Sequence, residues 1–224
     1  LIGVAWFSVR HFLVLAANLR ALGEFRRSPG YAKFLQGNGE VTLMAVPLTL
    51  AMTVNVLFIL GALGVPGLWN VVEIAFPFAL LAFGAVAALA VFYFGRYLAR
   101  VIAHSGFDIE DTNHFSQLLP AFAFSMIAVG FGASAAMSKV LATSVLGIIG
   151  ALLFLTATAA WILVKLPVSF AAILRKGLAL EAGPTLWMGI PILTLVGITF
   201  IRVGLGISHN LLGTKLPPVL AFIV

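Results

Sequence analysis

The chain has 224 residues, 62% of them hydrophobic and 9% charged, with a mean hydropathy of +1.15, a formal charge of +6 and no cysteine. Soluble domains carry roughly a quarter charged residues, so a water-facing surface cannot be built from this composition. The lack of cysteine removes disulfides, thiolate metal ligands and cysteine nucleophiles together.

The apolar residues come in blocks of roughly 20 or more, each long enough to cross about 30 Å of hydrocarbon as a helix. A transmembrane β-barrel would alternate apolar and polar residues, whereas residues 78–90 are apolar all round. Backbone groups in lipid must be satisfied within the segment, and the fold class is therefore all-α, a polytopic transmembrane helical bundle. The first predicted helix covers residues 1–22 and ends where Glu24, Arg26, Arg27 and Pro29 follow. With Arg10 and His11 in its middle and no basic start, it does not read as a signal peptide. The second covers 41–63, and an uncharged turn with Pro66 and Gly67 leads into the third, 71–103. An acidic loop holds Asp108, Glu110 and Asp111. The fourth, fifth and sixth helices cover 117–137, 141–166 and 185–205, and residues 217–224 read as the start of a seventh. The whole chain, 1–224, is expected to form a single transmembrane domain and to be a portion of a longer polypeptide.

The bases are distributed asymmetrically. Nine of them, Arg20, Arg26, Arg27, Lys33, Arg96, Arg100, Lys165, Arg175 and Lys176, follow the first, third and fifth helices, and Lys139, Arg202 and Lys215 mark the opposite side. The positive-inside rule places the first set in the cytoplasm. This pattern explains the net positive charge as membrane orientation, and nucleic acid is not an expected partner.

Three of the predicted helices, the second, fourth and sixth, carry a proline near the cytoplasmic end: Pro47, Pro120 and Pro191. A proline removes one backbone donor and frees a carbonyl, which makes these positions candidate kinks. The same helices carry polar residues: Thr42, Thr49, Thr53, Asn55, Ser125, Ser134, Thr194 and Thr199. Proline and hydroxyls can serve packing alone, but their recurrence on alternate helices points to an inner ring that lines something. On the fourth helix Ala121, Ser125, Ala128, Gly132 and Ala136 form a stripe of small residues on which another helix can pack. Phe124 and Phe131 lie on a second, bulkier stripe, which faces either lipid and neighbouring helices or a pore that it narrows. Glu73 is the one acid inside a predicted helix and lies near its end. No HExxH or Walker-type motif occurs, and the histidines are not spaced to clamp a haem. Enzymatic activity, cofactors and metals are not expected.

Several segments carry a resemblance: Ser28-Pro29 before the Pro47 helix, Asn113-His114-Phe115-Ser116-Gln117-Leu118-Leu119-Pro120, and Leu180-Glu181-Ala182-Gly183-Pro184-Thr185 running on to Met188-Gly189-Ile190. Together they resemble the family of tellurite-resistance TehA proteins, malic-acid permeases and slow-type anion channels. The resemblance implies a ten-helix protein of helical hairpins around a central pore, lined by the odd-numbered helices and assembled as a homotrimer in the plasma (bacterial inner) membrane. The Pro47, Pro120 and Pro191 helices would match that family's third, fifth and seventh. The family's pore-plugging phenylalanine lies on a helix this sequence does not reach, so no residue here inherits that gate.

These readings lead to the expectation of a channel or carrier for small anions such as chloride, sulfite or C4-dicarboxylates, with the lipid bilayer as its other partner. The expected pore-lining or kink residues are Pro47, Thr49, Thr53, Pro120, Phe124, Phe131, Pro191 and Thr194. A proton-coupled secondary transporter and a non-transporting scaffold subunit are the alternatives.

Overall fold

The computed structural model describes residues 2–104, 114–178 and 180–213. Among these the chain is helical with no strand, and six segments are long and apolar enough to cross a membrane. The protein is thus a multi-spanning helical membrane protein. The acidic loop and the apolar residues 217–224 lie outside the described residues.

The helices are α1 (Ile2–Arg27), a short α2 (Gly30–Phe34), α3 (Ala45–Gly64), α4 (Leu68–His104), α5 (Leu119–Met137), α6 (Leu141–Lys176) and α7 (Gly189–Gly206). The predicted second to sixth helices are α3 to α7. Segments of 3-10 helix lead into three of them: Asn38–Met44 before α3, Phe115–Leu118 before α5, and Leu180–Met188 before α7. A π turn, Ile207–Leu211, ends α7.

This pattern corrects the expected kinks. Pro47 is the third residue of α3, Pro120 the second of α5 and Pro191 the third of α7. The first turn of an α-helix has N–H groups without intrahelical partners, so a residue lacking that donor fits there at little cost. The three prolines start the α-helical segments where the tighter helix passes into the wider one. Prolines inside helices are found instead at Pro77 of α4 and Pro167 of α6. The sequence expectation stopped the fifth helix at residue 166, but α6 continues through Pro167 to Lys176. Losing one donor in a long membrane helix leaves fewer unsatisfied groups than opening the backbone would.

α5 is the hub. In its apolar stretch 72% of the residues are buried, against 6% for α1 and 28–39% for the other spans. It packs against α3, α4, α6 and α7, while α1 lies outside against α3. The main core joins Ala51 of α3, Phe83 and Ala90 of α4, Phe124 and Ile127 of α5, and Phe154 of α6. Glycines let α6 and α7 approach α5: Gly147 of α6 faces the backbone of Phe131 and Ala135, and Gly206 of α7 faces the Ala135 carbonyl. Gly67 closes the turn between α3 and α4 with φ of 76°, and Gly177 ends α6 with φ of 77°, conformations that other residues rarely adopt.

The base-rich loops gather at one end. Buried Glu40 accepts from Arg96 Nε at 3.0 Å and from Arg100 Nε at 2.7 Å, and Arg100 also donates to the carbonyls of Gln36 and Gly37. Gln117 accepts from Tyr97 Oη, donates to the Asn38 carbonyl, and receives Trp161 Nε1 on its own carbonyl at 2.8 Å. These bonds tie the Asn38–Met44 turn, α4, the Phe115–Leu118 turn and α6 together. At the opposite end Glu73 of α4 accepts from Ser138 Oγ at 2.7 Å and Lys139 N at 2.6 Å, holding the turn between α5 and α6.

Candidate functional site

Polar residues on apolar helices are expensive in hydrocarbon and mark function when they face a cavity. α3, α4, α5 and α7 line a partly open cavity of about 230 Å³ in the half of the bundle nearer Glu73, with exposed Ile59 and Trp69 at its rim. Its wall is mainly aromatic and aliphatic, with Phe58, Trp69, Phe76 and Phe83 among its residues. Three polar side chains interrupt it: Asn55 of α3, Ser134 of α5 and Arg202 of α7.

Each reaches the cavity for a local reason. Gly132 of α5 has no side chain, so Cβ of Arg202 lies 3.4 Å from where a Cβ at that position would stand, and α7 comes close. The Arg202 side chain then extends along α5 and donates from Nη1 to the Val129 carbonyl at 2.9 Å. It meets no carboxylate among the described residues, where the recorded ion pairs are those of Glu40 with Arg96 and Arg100. Ser134 is 1% exposed, and its hydroxyl has no hydrogen-bond partner. Asn55 Nδ2 donates to the Ala51 carbonyl at 3.2 Å and reaches Met126 Sδ at 3.4 Å, which ties α3 to α5. A guanidinium stays charged in proteins and offers donors in a planar fork. The cavity therefore presents an uncompensated cation and a free hydroxyl within apolar walls, which is a setting for an anion.

Of the polar residues that the sequence places on these helices, Asn55 and Ser134 line the cavity, and the residues expected to line a pore fall elsewhere. Thr49 bonds back to the Ala45 and Val46 carbonyls and lines a second cavity, of about 290 Å³, between α1 and α3. Thr53 donates to the Thr49 carbonyl and accepts from His11 Nε2 of α1 at 2.8 Å. Both thus face α1, not the hub. Thr194 is exposed and bonds back to the Ile190 carbonyl. Phe124 is 2% exposed and packs against Phe94 of α4 and Phe154 of α6, while Phe131 packs against Phe83 and Phe154. Both rings are held among neighbouring helices, the packing alternative for that stripe. Pro47 and Pro120 are buried and Pro191 is partly buried. None of the eight lines the cavity.

Arg202 was missed because a charge count treats every base as a loop marker; its position four residues before the end of α7 places it inside the helix. Asn55, on the same helix as Thr49 and Thr53, could have been separated from them by helical phase alone. No protein-family profile, curated protein or solved structure matches this chain.

Proposed function

We propose that the protein is a conduit for small anions across the membrane, working as a channel or a weakly binding carrier. The observation that carries this reading is Arg202, a guanidinium held inside a membrane helix against a cavity and lacking a carboxylate partner among the described residues. A charge in that position is costly, and the cost is offset when an anion visits. Hydroxyl and guanidinium donors supply weak, replaceable contacts, as conduction requires. The basic end of the bundle adds a field that concentrates anions. The sequence resemblance to the TehA and slow-type anion channel family agrees with this reading.

A scaffold subunit is the rival, and the dense packing around α5 is compatible with it. A scaffold gives no reason for a partly buried guanidinium without a carboxylate partner among the described residues, lining the same cavity as an unpartnered hydroxyl. The test is potential-driven flux of chloride, nitrate and sulfite in proteoliposomes. Flux that falls at least tenfold in Arg202→Gln with assembly unchanged supports the reading. Indifference of every anion to the protein's presence refutes it.

A further inference from the structure

The wall of the Arg202 cavity says more about the ligand than that it is an anion. Fifteen residues line it, and all but Asn55, Ser134 and Arg202 are apolar or aromatic. A bare halide drawn into such walls would exchange its hydration for few donors, since Asn55 Nδ2 is already engaged with the Ala51 carbonyl and Met126. A dicarboxylate would bring a second charge, and Arg202 is the one cation in the lining. A cavity of about 230 Å³ is smaller than the usual drug-sized pocket and suits one ring or a short chain.

We propose that this cavity binds monocarboxylates with an apolar body. The carboxylate meets the guanidinium fork of Arg202 and the free hydroxyl of Ser134, and the body lies against Phe58, Phe76 and Phe83. Ser134 is the independent sign of a ligand, because a hydroxyl 1% exposed and without a partner lines the same space. An unsatisfied buried hydroxyl is disfavoured until something accepts from it. A carboxylate oxygen does so, and its charge shortens and strengthens the bond. The inference deepens the conduit reading and rests on it for the ligand's onward passage. The same chemistry has two sources, a water-soluble aromatic carboxylate and a fatty acid from the bilayer.

The test is equilibrium binding of radiolabelled benzoate to the protein in nanodiscs at constant ionic strength, with decanoate in a parallel arm. Saturable binding of benzoate identifies a ligand taken from water, and saturable binding of decanoate alone identifies the bilayer as the source. Either supports the proposal if chloride, succinate and the neutral benzyl alcohol compete at least tenfold less well. Arg202→Gln is expected to weaken binding tenfold or more. Ser134→Ala, which removes a hydroxyl that bonds to nothing in the protein and should fold normally, is expected to weaken it several-fold. Binding of neither carboxylate, equal competition by chloride or succinate, or unchanged affinity in a folded Ser134→Ala protein overturns the proposal. Nitrate flux that persists while carboxylate binding is absent refutes this inference and leaves the conduit standing. Carboxylate binding without flux of any anion refutes the conduit and leaves the binding site.

Discussion

Replacing Gly147 by alanine is the sharpest probe of how α6 seats against the hub. A Cβ added there would lie 2.6 Å from the Ala135 amide nitrogen and 2.8 Å from the Phe131 carbonyl oxygen, where ordinary contact begins at 3.4 Å. Both obstacles are backbone, so neither can swing aside, and α6 must move away from α5 by roughly 0.8 Å. A gap of about 0.5–1 Å forfeits a quarter to a half of the dispersion energy of the contacts it opens. In lipid, close van der Waals packing is a main source of helix association. The shift also strains the Ser144 bond to the Ala135 carbonyl, 2.8 Å long, one turn away on α6. Overpacking of this kind costs about 1–3 kcal/mol, against which alanine regains at most about 1 kcal/mol of helix propensity. The expected net is a loss of up to about 2 kcal/mol in reversible unfolding from mixed micelles, and of about 1–3 kcal/mol relative to an unhindered glycine-to-alanine change. Two controls bracket it. Gly84→Ala on α4 meets nothing within 4 Å and should be neutral or slightly stabilising. Gly150→Ala meets Cγ and Cδ1 of Phe131 at 2.6 Å, on a ring packed against Phe83 and Phe154, and should also destabilise, though less than a clash with backbone because a side chain can shift. If Gly147→Ala is as stable as Gly84→Ala, the α5–α6 seat is not the close contact described.

The same assay should register Phe124→Ala as a loss of about 3–5 kcal/mol, because the ring fills a core site between α4 and α6. Flux per folded molecule should stay unchanged, and a rise would restore that ring to a pore. Glu40→Gln should destabilise by about 3 kcal/mol, since it removes the carboxylate shared by Arg96 and Arg100; the exposure of Arg96 keeps the value at the low end for a broken buried pair. Double-mutant cycles with Arg100→Gln check that the loss belongs to the pair. A cysteine at Ala133, which lines the cavity, should react with a water-soluble thiol reagent, whereas one at the fully buried Ser125 should not. Equal labelling of the two would mean that water does not reach the cavity by the route described.

The number and order of the spanning helices were legible in the sequence because hydropathy over 18 or more residues is a strong signal of membrane helices. Most of their C-terminal ends were too, within one residue at Gly64, His104, Met137 and Gly206, but the starts beside 3-10 segments and the ends of α1 and α6 were not. The 3-10 segments Asn38–Met44 and Leu180–Met188 include apolar residues continuous with the α-helices they precede, so composition does not separate the two geometries. Pro167 reads as a stop in a soluble context, yet a membrane helix has nowhere better to send its backbone groups. Hydroxyls at Thr49 and Thr53 stood out as polar residues, but a hydroxyl can bond to its own helix and gives no direction. Asn55 and Arg202 cannot satisfy all their groups that way, and each also reaches α5 from its own helix.

Two features, one on α5 and one on α7, that sequence presents as unrelated belong together. The stripe of small residues reads as a packing surface, and Arg202, on a different helix, reads as a marker of the membrane edge. Gly132 belongs to the stripe and faces Arg202, whose Cβ lies 3.4 Å from where a Cβ at 132 would stand, so a small residue there lets α7 lie close enough for the guanidinium to reach the Val129 carbonyl. That bond satisfies one of five donors and leaves most of the fork for the cavity. Alanine would fit at position 132 in ordinary contact, whereas a longer side chain would run into Arg202 and push α7 outward with its charge. The packing stripe and the charged cavity wall are therefore one arrangement, in which close helix approach positions the cation.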